Sequence, residues 1–160
     1  MTLMGKGRMT ESAKQSQEAL NKAIVERYFR EALDQRKIEV MAELMAPDVV
    51  LHRPSYDVHG AEAVVQRWRA ISKDFSAFSS ELSGMVAEGD MVAVRVFHRT
   101  KMRPHTFRSR GVAVTLAKEQ EVNWGTIAQF RLRNGKIVEE WVMRDELGML
   151  TQMGQIVVER

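Results

Sequence analysis

Gly135-Lys136-Ile137-Val138-Glu139-Glu140-Trp141-Val142-Met143-Arg144-Asp145 leaves a turn, alternates as a strand, and runs on into Glu146-Leu147-Gly148-Met149-Leu150-Thr151-Gln152-Met153-Gly154. The Arg133-Asn134-Gly135 segment before it is a hairpin signal, because Asn-Gly accepts the positive φ values a tight turn needs. The turn joins this closing strand to an earlier one over 122–132, where Val122, Trp124, Thr126, Ala128, Phe130 and Leu132 alternate. Counted by twos from Ile137, the residues Trp141, Met143 and Asp145 share one strand face. An indole and a carboxylate four residues apart on one strand face mark the first place to look for a proton-transfer group.

Working outward, Met91 to Lys101 reads as a strand, Glu88-Gly89-Asp90 as a tight turn, and Ser79 to Ala87 as the strand before it. A further strand is expected within 107–118. The amino-terminal half has a helical period instead: a helix over 12–34 with Ser12 as its cap, and a short one from Ile38 to Met45 ended by Pro47. A brief strand over 49–53 follows, then a loop to Gly60 and a helix over 61–75. Helices followed by a meander indicate an α+β domain. The short strand connections leave no room for parallel crossovers, so an antiparallel sheet is expected. Three amino-terminal helices covering a curved sheet would leave an apolar pocket between the layers, the usual place for a small ligand.

The 160 residues, 44% of them apolar and 28% charged, fit one globular domain. Residues 1–11 are expected to be a flexible leader, 12–154 the domain and 155–160 a tail. No apolar stretch is long enough for a membrane span, and the leader lacks a secretory core, so a cytoplasmic protein is expected. Cysteine is absent, which removes disulfides and thiolate chemistry. The net charge is only +3, but Arg95, Arg99, Lys101, Arg103, Arg108 and Arg110 crowd one stretch. That bias suits either an anionic ligand or a solvated strand pair. Without a recognition helix, finger or stacking platform it does not indicate nucleic acid. The four histidines have no metal-ligand spacing, and no metal or organic cofactor is expected.

Several residues are candidates for chemistry. Asp145, among apolar neighbours, is a possible general acid/base, or else the cap of the following turn. His98 ends the apolar alternation Val92, Val94, Val96. It suits an enolate partner or an orienting group, or else is a satisfied half-buried histidine. Arg95 lies on the opposite parity and competes with His98 for that role, since only one face can line a pocket. Trp141, Trp124 and Met143 are pocket walls or plain core. His52, before Arg53-Pro54, either faces the pocket mouth or ties its strand to the loop, and Tyr56 sits in that loop.

The order of elements, together with four separated pieces, resembles the SnoaL-like polyketide cyclase family within the nuclear transport factor 2-like superfamily. The pieces are Ala46-Pro-Asp-Val-Val-Leu-His-Arg-Pro54, Gly60, Val86-Ala-Glu-Gly-Asp90 with Val92-Ala-Val-Arg95, and the closing Gly135–Trp141 with Asp145, Gly148 and Gln152-Met-Gly154. The resemblance implies a cone-shaped sheet, a homodimer, and a pocket for a hydrophobic small molecule; the indoles suit an aromatic one and the basic 100–110 segment an anionic one. The resemblance also implies a cofactor-free intramolecular aldol closure in which Asp145 is the main acid/base. The chain departs from the family pattern at Lys118-Glu-Gln-Glu121, where many members have a Pro-Thr-Gly-like turn, and in its basic 100–110 segment. Two other functions suit the same frame, epoxide hydrolysis and non-catalytic ligand binding.

Overall fold

The computed structural model describes residues 10–109 and 112–156. Most of the expected leader (1–9), Arg110 and the end of the expected tail (157–160) lie outside the described residues.

Helix α1 (Glu11–Arg27) starts one residue before the expected 12, and its cap is Thr10, not Ser12: the Ala13 N–H donates to Thr10 Oγ1 at 3.3 Å. The chain then widens into a π-helical segment, Tyr28–Asp34, whose last turn closes with the Gln35 N–H on the Arg30 carbonyl at 3.3 Å. This widening turns Tyr28, Phe29, Ala32 and Leu33 inward together. Helix α2 (Ile38–Leu44) buries Val40, Met41 and Leu44. Strand β1 (Met45–Arg53) and the short β2 (Tyr56–His59) form a hairpin, and α3 (Ala61–Ile71) buries Val64, Val65 and Trp68. Gly60, with φ +85°, makes the corner between β2 and α3, a conformation that favours glycine.

The second half is β3 (Phe75–Glu88), β4 (Met91–Met102), β5 (His105–Ser109), β6 (Val112–Leu116), β7 (Gln120–Glu121), β8 (Trp124–Arg133) and β9 (Lys136–Arg144), closed by α4 (Glu146–Gln152). The stretch expected to hold one strand between 107 and 118 is instead a hairpin, β5–β6, forming its own two-stranded sheet.

The α+β class holds, but the antiparallel cone does not. The main sheet is open and mixed, in the order β2–β1–β9–β8–β4–β3 with β7 beside β4. Its β1–β9 pair is parallel, with Leu51 opposite Glu140 and His52 opposite Trp141. Short connections exclude parallel pairing only between consecutive strands. Here more than eighty residues separate the two partners, ample for a crossover.

A second departure decides the site. Between β8 and β9 the register runs Leu132–Ile137, then Arg131–Glu139, so Val138 is an extra residue on β9. A single inserted residue exchanges the two faces of everything beyond it. Ile137 and Glu140 both point into the protein, while Trp141, Met143 and Asp145 fall on the outer side.

The inner face carries the core. Phe130 is fully buried and meets Tyr28 and Phe29 edge-on, with centroids 5.6 and 5.9 Å away. A smaller cluster of Phe75, Met102, Val114, Leu116, Val122, Trp124 and Met153 fills the other end, where the β5–β6 hairpin and α4 pack.

Candidate functional site

A cavity of about 280 Å³ lies between the inner face of the sheet and the helical layer. That is just below the roughly 300–1,000 Å³ of usual small-ligand pockets. The π-helical segment supplies Tyr28, Phe29 and Leu33, and α3 supplies Trp68. From the sheet come His98 of β4, Trp124, Thr126 and Ala128 of β8, and Glu140, Val142 and Arg144 of β9. A second hollow, of about 750 Å³, opens between α1 and two hairpin turns and contains none of the candidate residues.

At one end of the first cavity sits His98, 6% exposed. Its ring lies 5.3 Å from Phe78, 5.2 Å from Trp124 and 6.2 Å from Phe29, centroid to centroid. Its Nδ1 is 3.2 Å from Ser80 Oγ, and Ser80 donates its own proton to Asp34 Oδ1 at 2.7 Å. A hydroxyl has one proton, so Ser80 must accept from His98. That assigns the hydrogen to Nδ1 and leaves Nε2 with its lone pair for the cavity. Burial, helped by the Arg144 charge, pushes the imidazole down to about 4. It is therefore neutral at neutral pH. Burial also holds the Asp34 carboxyl above its ordinary value, against the opposing hydrogen bond from Ser80 and the charge of Arg30.

At the other end, Arg53 Nη2 donates to Glu140 Oε2 at 3.0 Å, and the Tyr28 hydroxyl reaches the same oxygen at 3.5 Å. Glu140 is 3% exposed. Desolvation opposes the Arg53 charge, but the Glu140 and Tyr28 neighbours outweigh it and hold the guanidinium protonated. Burial, reinforced by Glu140, pushes the Tyr28 phenol up, so it stays a hydroxyl. The cavity thus has a basic nitrogen at one pole, a compensated ion pair at the other, and aromatic walls between.

The other candidates fall as follows. Trp124 is a cavity wall. Tyr56 lines the rim, with the Arg67 guanidinium 4.5 Å over its ring and bonded to its hydroxyl. Arg95 is exposed on the outer face beside Ser83 and does not line the cavity, whereas His98 does. Trp141 stacks on His52 at 5.3 Å outside the cavity, and Met143 is 66% exposed. His52 sits between Asp57 (Nδ1, 3.0 Å) and Glu139 (Nε2, 3.2 Å), tying β1 to both neighbouring strands. Asp145 is exposed and caps α4: its Oδ1 accepts the Gly148 N–H at 2.8 Å. A Cβ at Gly148 would meet that carboxylate at 2.1 Å, so the Asp145–Gly148 pair is a capping device. Of the basic stretch, Arg99 pairs with Glu81 and Lys101 with Glu119 on the surface, while Arg108 reaches the cavity rim.

Sequence reasoning missed Arg53, Glu140, Ser80 and Asp34. A signal existed for one of them: Glu140 lies between Val138 and Val142 at strand spacing, but its parity is opposite to that of Ile137 unless β9 carries an extra residue. Among the described residues, no group of three or more His, Asp and Glu could hold a metal ion, and no helix is long and apolar enough to cross a membrane.

The profile of the SnoaL-like domain matches residues 25–140. The fold is similar to that of AclR, a proposed hydroxylase from Streptomyces galilaeus (21% identity, 88% of this chain and 89% of that one, TM-score 0.72). It is also similar to IdmH, a proposed polyketide cyclase from Streptomyces antibioticus (26% identity, 84% and 98%, TM-score 0.67). A further similar structure is a proposed SnoaL-like polyketide cyclase from Jannaschia (20% identity, 96% and 100%, TM-score 0.74). Comparison with curated proteins gave no match. The matched span runs from α1 to Glu140 and includes both poles of the cavity, and by that match the chain belongs to the SnoaL-like family.

Proposed function

We propose that the chain is a cyclase/isomerase that moves protons on a hydrophobic, aromatic carbonyl compound, with His98 Nε2 as the general base. The observation that carries this is the Asp34–Ser80–His98 chain: it turns a neutral ring nitrogen to an aromatic-walled cavity and backs it with a carboxylate. Nε2 removes a proton from carbon next to a carbonyl, and the C–H electron pair passes to that carbonyl oxygen. The enolate carbon then attacks a second carbonyl of the same molecule, forming the ring bond. The resulting alkoxide takes the proton back from Nε2, so the enzyme ends as it began. A buried imidazole held near 4 is a weak base for this step on its own. Negative charge developing on the substrate stabilises the imidazolium, and Asp34 supports it through Ser80. Asp145, committed to the helix cap, stays outside this scheme.

The test is deuterium exchange into the acidic C–H positions of β-tetralone in deuterium oxide, followed by proton NMR. The wild-type chain is expected to exceed the buffer rate, Asp145→Asn to match wild type, and His98→Gln to fall to the buffer rate. Unchanged exchange in His98→Gln would sink the assignment.

A further inference from the structure

Among the described residues, three buried side-chain polar atoms have no hydrogen-bond partner: Arg53 Nη1, Trp68 Nε1 and Thr126 Oγ1. All three belong to residues that line the same cavity. Buried polar groups are normally paired, and each exception calls for an explanation. Two of these atoms can only donate, and the third, a hydroxyl, can do either. The complement to such a wall is a ligand that presents acceptors.

The charge of that ligand follows from Glu140. It is 3% exposed, 3.0 Å from Arg53 Nη2, and itself lines the cavity. It compensates the guanidinium locally, so a ligand carboxylate reaching Nη1 would meet a second carboxylate on the same arginine. Arg144, another cation lining the cavity, is taken up by Glu146 at 2.9 Å. A carbonyl oxygen accepts from Nη1 and from the hydroxyl without that repulsion. It can also take on partial negative charge during enolisation, where a preorganised donor is most effective.

We propose that Arg53 Nη1 and Thr126 Oγ1, seconded by Trp68 Nε1, form a subsite for the neutral carbonyl oxygen of the ligand and select ketones over carboxylates. The subsite rests on the cavity being the substrate site, but not on His98 being the base.

Three probes of one skeleton test it: β-tetralone, tetralin, and tetralin carboxylate. Binding is followed by quenching of cavity tryptophan fluorescence, and the bound ketone by its infrared carbonyl band. β-Tetralone is expected to bind wild type about ten- to a hundredfold more tightly than either analogue, with its carbonyl band moved to lower frequency. Thr126→Val, nearly isosteric, should bring back part of that band shift. Arg53→Met with Glu140→Gln, which removes both members of the ion pair, should bring back most of it. Carboxylate binding as tight as the ketone, tetralin binding as tight as the ketone, or an unmoved band in wild type and variants alike overturns the subsite. His98→Gln keeps the band shift if the subsite stands. Loss of exchange with the shift retained therefore speaks to the base alone, and exchange without any shift sinks the subsite alone.

Discussion

His98 and His52 carry the same ring on opposite faces of one sheet, and their surroundings shift its basicity in opposite directions. His98 is closed in by Phe29, Phe78 and Trp124, with only a hydroxyl for a partner, and burial drives it down to about 4. His52 also loses some hydration, which lowers it. Hydrogen bonds and charges from Glu139 and Asp57 nevertheless raise it above its ordinary value. One ring is held neutral beside a cavity, and the other is held towards the imidazolium as a strut between strands. What separates them is the company each face provides, an apolar interior against a carboxylate-rich rim.

The comparison breaks most visibly through catalysis. His98→Gln should cut turnover about 10²- to 10⁴-fold, the range for loss of a positioned base. His52→Gln should leave turnover within about twofold in the same assay, because the outer ring does no proton transfer. A large loss in the second variant would erase the functional difference between the faces.

Acid pH sharpens it next. His98 is depressed in the folded protein, so between about 6.5 and about 4 the unfolded chain binds the extra proton. Stability should fall as pH drops through that window, by about 3 kcal/mol in all. His52 is raised, so its contribution has the opposite sign: present below its unfolded value and lost as pH rises through the folded one. Denaturant titrations of wild type, His98→Gln and His52→Gln read the two slopes, that of His98 between about 4 and about 6.5 and that of His52 above about 6.5. Parallel curves for the two variants would show that the rings do not differ.

Smaller effects lie within each face. Ser80→Ala leaves the Nδ1–H of His98 buried and unpaired and should cost about 1–3 kcal/mol. It should also slow exchange by loosening the ring, while Ser80→Thr restores both. Thr126→Val removes an unpartnered buried hydroxyl and should gain about 1 kcal/mol in the free protein while weakening ketone binding. A destabilised Thr126→Val would place that hydroxyl among the structural groups. On the outer side, Asp145→Ala should lose about 1 kcal/mol, the worth of a helix cap, with turnover unchanged.

Much of the fold was legible because it rests on local periodicity. The helical spacing of Val40, Met41 and Leu44, the alternation from Val92 to His98, and the Asn134-Gly135 turn report local geometry directly. The parallel β1–β9 pair was not legible, because pairing across more than eighty residues leaves no local mark. The site was half legible. His98 and Trp124 came from strands that keep strict alternation, and both line the cavity. Trp141, Met143 and Asp145 were placed by counting through Val138, the one position where β9 breaks its own period.

By itself, the sequence determined the α+β class, most of the helices and strands, and the family resemblance, and it left His98 and Arg95 as rivals for the inward face. Each follows from near-neighbour constraints or from recurring motifs. Only the tertiary structure decided which face of β9 looks into the protein, that Asp145 caps α4, and that Ser80 and Asp34 stand behind His98 while Arg53 meets Glu140. The first depends on one extra residue in a strand, and the last two on contacts between residues 18, 46 and 87 positions apart. Such contacts form only when the chain is folded, and no local period records them.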